Sequence, residues 1–414
     1  MRAFSFLEKK NKIYYNTNEK HTKGGGIKTD MQKGVIILIK SAITGEKYPL
    51  PEGFFIGEAY DFIMKHRVMM LAYDGAVRCG ISKSEPAMQK LFQSYVAGML
   101  HSEKQLEAVN KIYAAFDENK IDYLPLKGCN MKYLYPKPEL RSMGDADILI
   151  RTEQYDKLKT VLENLDFEEE AEISHHYVWN SDHLHLEMHT EPMPSSYKKF
   201  QDYYGNGWKR AIKTETNRYV YSDEDTFVFL FAHFAKHYLE GGIGLRHITD
   251  IFVYLEKTPN MDFGYIENEF SKIGLLKFYK NIVRTISYYF KNGEPDEAVE
   301  IISEYILQSG NWGSYQSHVF AGGARNNGTE EKVKGSKFRF FLKAAFPSAE
   351  SIKGRYTVLK KAPFLIPVIW PVRWVDAILF RGKNVTNNFK KLDMLDDEKS
   401  EIYREKFEKS GFDL

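Results

Sequence analysis

Hydrophobic positions change their period along the chain. From Glu58 to Cys79, Phe62, Met64, Val68, Met69, Leu71 and Ala72 recur at helical spacing. From about Glu85 to Asn119 the same spacing returns in Leu91, Tyr95, Val96, Met99, Leu106, Val109, Ile112, Tyr113 and Phe116. After Asn119 the segments shorten. "YLPLKG" reads as a strand running into Lys127-Gly128, "CNMKYLY" as a helical piece stopped by Pro136 and Pro138, and "DADILIR" as a second strand. "TEQYDKLKTVLENLDF" predicts an amphipathic helix with Thr152 as its N-cap, and "HLHLEMHT" alternates strictly, as a half-buried strand does. From Ser222 the pattern is mostly helical again, beginning with "SDEDTFVFLFAHFAKHYLEGG", where Ser222 and Asp225 have the spacing of a capping box and Gly241 marks the end.

The predicted class is α+β, a small mixed β-sheet core with helical N-terminal and C-terminal additions. The expected organisation is a flexible lead-in over 1–31, a helical region over 32–120, the α/β core over 121–215 and a second helical region over 216–310. A Gly/Asn/Ser-rich loop or linker over 311–336 and a helical, Pro-rich segment over 337–414 follow. The chain contains no internal repeat.

Composition narrows the class. With 414 residues and 43% hydrophobic positions, the chain is long enough for a globular core with additions packed around it. Lys+Arg 58 against Asp+Glu 56 leaves a formal charge of +2, so no global field draws it to nucleic acid or an anionic membrane. Two cysteines, Cys79 and Cys129, are too few for a disulfide framework and point to a reducing cytoplasm. The opening residues hold no apolar run of signal-peptide length, so secretion is not expected. "APFLIPVIWPV", from Ala362 to Val372, is short for a membrane span and is interrupted by Pro363, Pro367 and Pro371, which makes it a buried or interfacial packing segment.

The candidate chemistry starts from "GDAD". On a strand, Asp145 and Asp147 share a face while Ala146, Ile148 and Ile150 point the other way. Two carboxylates so close repel each other, and burial raises the pKa of at least one, unless a cation is present. Magnesium, which takes hard oxygen ligands from one or two carboxylates, fits such a pair; a solvated edge strand is the other reading. In "HLHLEMHT", Leu184, Leu186 and Met188 form one face and His183, His185, Glu187 and His189 the other, so Glu187 supplies a third acid. Arg141, four residues before Asp145, can share its face and pair with carboxylates or meet a phosphate. Ser142 lies on the opposite parity.

In that order, "YLPLKG", "RSMGDADILI", "LHLEMHT" and "HFAKHYLEGGIGLRHITDIFVYL" resemble the uncharacterised nucleotidyltransferases of the DNA polymerase β-type superfamily, and "FPSAESIKGRY" adds to the likeness. The resemblance implies transfer of a nucleoside monophosphate from an NTP, with release of pyrophosphate, in the presence of Mg²⁺ or Mn²⁺. It implies that Asp145 and Asp147 bind the ions that carry the triphosphate and that Glu187 completes the acceptor-side ion site. The superfamily usually has Gly-Gly or Gly-Ser at the turn; here Lys127-Gly128 stands there, with backbone amides that can cradle a phosphate. The helical region over 216–310 is then expected to close over the nucleotide, with Lys236 reaching phosphate and Asp250 orienting Arg246, its i,i+4 neighbour, or a base. The acceptor (small molecule, protein or RNA) and the oligomeric state are left open.

Two rival readings use the same residues. His183, His185 and His189 beside Glu187, with His175-His176 and His233/His237 elsewhere, suit a His/carboxylate metal-dependent hydrolase, although no HExxH motif is present. A catalytically inactive nucleotide-binding module would be marked by a missing acid, and all three acids are here.

Overall fold

The change of period near Asn119 is where helices give way to a five-stranded mixed sheet. The structure is a computed structural model that describes residues 29–173, 175–326, 342, 345–352, 356, 358–380 and 397–414. Residues 1–28 of the expected lead-in lie outside the described residues. The fold is α+β, a mixed sheet with helical regions before and after it, as the sequence predicts.

The N-terminal region holds α1 (Asp30–Thr44), α2 (Ile56–Lys65), α3 (Met69–Cys79) and the long α4 (Pro86–Glu118). The Thr29 hydroxyl caps α1 by accepting from the Gln32 amide at 3.2 Å. The single helix expected over Glu58–Cys79 is two, because Arg67 takes a left-handed φ of 54° and turns the chain between α2 and α3. Helices α1 and α3 touch backbone to backbone at Gly75, where a Cβ would lie 1.9 Å from the Leu38 carbonyl oxygen.

The core follows as β1 (Tyr123–Pro125), α5 (Gly128–Lys132), β2 (Ala146–Ile150), α6 (Tyr155–Glu163), β3 (Glu168–Ile173), β4 (His176–Asn180) and β5 (His185–His189). The sheet order is β1-β2-β5-β4-β3, with β2 and β5 parallel and the other neighbours antiparallel. One face packs Ala146, Ile148, Ile150, Leu186 and Met188 against Val109, Ile112 and Phe116 of α4 and Leu158 and Leu162 of α6. Thr152 does not cap α6: it opens a 3-10 turn over Thr152–Gln154, and the α-helix starts at Tyr155 without a side-chain cap. Gln154 is occupied elsewhere, its Oε1 accepting from the Asp122 amide at 2.9 Å.

After α7 (Lys198–Tyr204) and the small β6 (Ile212–Lys213) and β7 (Tyr219–Val220) pair come α8 (Asp223–Leu239), α9 (Leu245–Lys257), α10 (Phe263–Lys272), α11 (Leu276–Phe290) and α12 (Glu297–Ser309). Ser222 caps α8 by accepting from the Asp225 amide at 3.1 Å, as its spacing predicts. Helix α8 is apolar nearly all round and buries Phe227, Phe229, Phe231, Phe234 and Tyr238, which makes it the central post of the helical half. The stretch over 311–336, expected as loop or linker, contains α13 (Tyr315–Asn326). There Ser314 accepts from the Ser317 amide at 3.0 Å, and Phe320 and Ala321 bury against the helical half. The segment around Phe364, expected as buried or interfacial packing, enters α14 (Ile366–Phe380); Phe364 is 77% and Val368 64% exposed, so it is not buried and presents apolar side chains outward. No helix among the described residues is long and apolar enough to cross a membrane. Helix α15 (Asp397–Ser410) returns to the core, with Phe407 buried beside Tyr238.

His66, fully buried at the break after α2, joins the two helical halves. Its Nδ1 accepts from the Leu245 amide at 3.1 Å and its Nε2 donates to the Leu307 carbonyl at 3.2 Å, a pattern that only the neutral ring satisfies. Burial, opposed by the Leu307 hydrogen bond, pushes its pKa from 6.5 down to about 3. The unfolded chain therefore binds a proton that the fold refuses between those values. Stability from His66 is fully present above 6.5 and is lost as pH falls toward about 3. His66→Gln, which keeps one acceptor and one donor, is expected to flatten the acid limb of a pH series of urea unfolding midpoints, relative to wild type, by up to ~1.4 kcal/mol per pH unit. Identical slopes in the two proteins would remove His66 from the acid response.

Candidate active site

Parallel pairing of β2 with β5 sets Asp147 directly opposite Glu187. Alternation turns both away from the packed face and toward the helical half. Asp147 is 3% exposed. Its Oδ1 accepts from Lys127 Nζ at 3.2 Å and from His189 Nε2 at 3.0 Å, while its Oδ2 is buried without a hydrogen-bond partner. Glu187 is ringed by imidazoles, with His189 at 3.3 Å, His185 at 3.7 Å and His176 at 3.8 Å. Oxygens of Asp147 and Glu187 and a nitrogen of His189 lie within 4.8 Å of one another, close enough to share one cation.

The electrostatics match that reading. Burial works against a charged Asp147, but Lys127 and the His189 hydrogen bond outweigh it and hold the carboxyl at about 2. Burial is likewise overcome at Glu187 by hydrogen bonds from His185 and His189, which keep it well below the usual carboxylate range. His189 is pulled the other way: burial disfavours its charge, and Asp147 and Glu187 restore it and raise the pKa. Lys127 Nζ also reaches His233 Nε2 at 3.0 Å. Burial, with Lys127 and Lys236 nearby, keeps His233 neutral, so the ammonium donates to it.

Gly128 follows Lys127 because the turn runs against the chain entering β2. A Cβ at Gly128 would sit 2.8 Å from the Asp145 carbonyl oxygen. Arg141 braces this turn. Its Nη1 donates to the Gly128 carbonyl at 3.1 Å, and its Nε and Nη2 grip Asp250 at 2.8 and 3.0 Å. Tyr135 donates to the same carboxylate at 2.7 Å. Asp250 therefore orients Arg141, not its i,i+4 neighbour Arg246. Arg246 donates instead to Asn311 Oδ1 at 3.1 Å, to the Ser142 carbonyl at 3.0 Å and to His247 Nε2 at 3.2 Å. Ser142 contributes that carbonyl, while its hydroxyl donates to the Arg67 carbonyl at 3.4 Å.

A cavity lies beside the carboxylate pair, lined by Lys127, Gly128, Arg141, Asp145, His233, His237, Arg246, His247, Asp250 and Trp312. Of the residues singled out in the sequence, Lys127, Gly128, Arg141, Asp145, Arg246 and Asp250 meet in this wall, and Lys127 links it to Asp147. Lys236 is on α8 and does not line it. Burial lowers the pKa of Lys236 against the pull of Glu240, and burial with Arg141 lowers that of Arg246. Neither cation has an ion pair among the described residues, so positive charge around the site is left for an anion to match. The structure adds His247, which lies inside the "HFAKHYLEGGIGLRHITDIFVYL" stretch without being singled out by its spacing, and Trp312, for which no periodic or motif signal exists. It also brings the His175-His176 doublet beside His189, with ring centroids 5.3 and 5.0 Å away. Burial pushes His175 down to about 3. His183 is exposed and stands outside the group.

The model of a family described as uncharacterised nucleotidyltransferase matches residues 54–291, more than half of the chain. No curated protein and no solved structure matches the chain.

Arg141 is buried with Asp250 as its only ion-pair partner among the described residues. Asp250→Asn strands the guanidinium and is expected to lower unfolding stability by about 3–5 kcal/mol in chemical denaturation. The double change Arg141→Met with Asp250→Leu should lose less, since it leaves no orphaned charge. A single variant as stable as wild type would show that the pair does not hold the turn.

Proposed function

The chain belongs to the uncharacterised nucleotidyltransferase family, and from that premise we propose that it moves a nucleoside monophosphate from an NTP to an acceptor, with Mg²⁺ or Mn²⁺ as cofactor. An acceptor oxygen attacks the α-phosphorus, the α–β anhydride bond breaks, and pyrophosphate leaves. The observation that carries this reading is the buried Asp147, opposite the half-buried Glu187 and with its Oδ2 unpartnered, beside a cavity rich in cations. An unpaired buried carboxylate oxygen is expensive, and a hard divalent ion satisfies it. Such an ion, held by Asp147, Glu187 and Asp145, would neutralise charge that develops on the transferring phosphoryl group.

The chain's own residues supply the rest. Lys127 pairs with Asp147 and also lines the cavity, so its ammonium can serve both the carboxylate and a phosphate bound there. Arg246, which lines the cavity without a carboxylate ion pair, balances the triphosphate, and Lys236, outside the lining, adds only its charge. Arg141, committed to Asp250 and the Gly128 carbonyl, fixes the turn instead of contacting phosphate. Glu187, held charged among imidazoles, completes the ion site and orients the acceptor. Ser142 acts through its carbonyl on Arg246. The acceptor is a small molecule, a protein or an RNA, and free Cys79 and Cys129 suit a reducing cytoplasm.

Asp147→Asn, Asp145→Asn and Glu187→Gln are each expected to cut label transfer from an α-labelled NTP in cell lysate by at least about 100-fold with the far-UV spectrum unchanged. Transfer at the wild-type rate in Asp147→Asn would sink the assignment. Chelation of divalent ions should stop the reaction, and added Mg²⁺ should restore it.

A further inference from the structure

We propose that His175, His176 and His189 form a transition-metal site of the kind that takes Zn²⁺, distinct from the carboxylate pair and joined to it through His189. Each histidine offers one ring nitrogen, and the three nitrogens lie within 4.8 Å of one another. The Nδ1 atoms of all three are buried with no hydrogen-bond partner. One unsatisfied buried ring nitrogen is a modest defect; three in one place are a cost that a shared ligand removes.

The backbone holds the group in place before any metal arrives. His176 is the first residue of β4 and lies in register with His189, the last of β5. His175 precedes β4, and its carbonyl accepts from the Thr190 amide at 2.8 Å and from the Thr190 hydroxyl at 3.1 Å. The ladder thus fixes all three Cα positions, which is the pre-organisation a metal site needs.

Ligand chemistry separates this site from its neighbour. Three imidazoles suit Zn²⁺, Co²⁺ or Ni²⁺, whereas Mg²⁺ keeps to oxygen. His189 points Nε2 at Asp147 Oδ1 and Glu187 and leaves Nδ1 unpartnered. That matches the common arrangement in which a ligating imidazole gives its other N–H to a carboxylate. Three protein ligands leave a fourth position for water or for a donor atom of a substrate. The site does not depend on nucleotidyl transfer, because the β4–β5 ladder places its ligands and the contact with Asp147 only orients His189.

The test uses the full-length protein, stripped of metal by chelation and titrated with Co²⁺ in excess Mg²⁺ while visible absorption is recorded. One equivalent should bind with the intense bands of a nitrogen-ligated, low-coordinate cobalt, and Zn²⁺ should displace it. His175→Ala and His176→Ala, checked for folding by far-UV circular dichroism, should weaken Co²⁺ binding at least about tenfold. The exposed His183→Ala and the cavity-lining Asp145→Asn should bind as wild type does. No Co²⁺ binding in excess Mg²⁺ would overturn the proposal, as would unchanged affinity in both folded His175 and His176 variants. Loss of binding in Asp145→Asn would overturn the separation of the two sites.

Discussion

Two carboxylates held opposite each other on adjacent parallel strands set the terms for everything around them. Asp147 and Glu187 are fixed by the β2–β5 register, so neither can move away from the other without slipping the sheet. Like charges under cover of protein require positive charge nearby. Lys127 and His189 provide it, each within hydrogen-bond reach of Asp147 Oδ1. The helical half over 216–310 then has a physical task, since α8 brings His233 to Lys127.

The surrounding scaffold answers a geometric demand that the carboxylates create. For Asp147 to meet Lys127, the turn after β1 must press on the segment entering β2, and Gly128 allows that contact against the Asp145 carbonyl. Arg141 closes the turn from the other side, and Asp250 of α9 holds Arg141 by both oxygens. A buried arginine carries a large desolvation penalty, which a two-point carboxylate, a tyrosine hydroxyl on that carboxylate and a backbone carbonyl offset together. Helix α9 is thereby tied to the turn after β1 by a charge pair.

Much of this was legible in the sequence, for identifiable reasons. Strands β2 and β5 are readable because their faces alternate, and alternation also puts Glu187 and His189 on one face, while the β2–β5 register sets Asp147 opposite Glu187. Ser222 was readable as a cap because its bond to Asp225 is local. What escaped was decided by long-range partners. Asp250 has Arg246 four residues before it on the same helix, yet it pairs with Arg141 across the fold, where burial makes the bidentate contact stronger than an exposed i,i+4 pair. Strand β3 escapes a reading of periodicity because "EEEAEI" carries acids on a sheet edge, where solvent accepts them and no apolar face is written. Helix α13 was hidden by Gly322 and Gly323, whose low propensity is overridden by the burial of Phe320 and Ala321. The break between α2 and α3 depends on one residue, Arg67, in a backbone state no side-chain pattern announces.

The hairpin that sequence reading passed over is also what gives the site its second character. Had β5 been an edge strand, His189 would face solvent on one side and act only as a counter-ion to Asp147. With β4 laid against it, His176 stands across from His189, and His175 is held at the strand's start by Thr190. His189 thus has carboxylates at one nitrogen and imidazoles around its ring. A proton or a metal on that ring changes the charge felt by Asp147 at 3.0 Å, a distance at which a buried interaction is strong. Oxygen chemistry on the cavity side and nitrogen chemistry on the hairpin side are therefore coupled through a single imidazole.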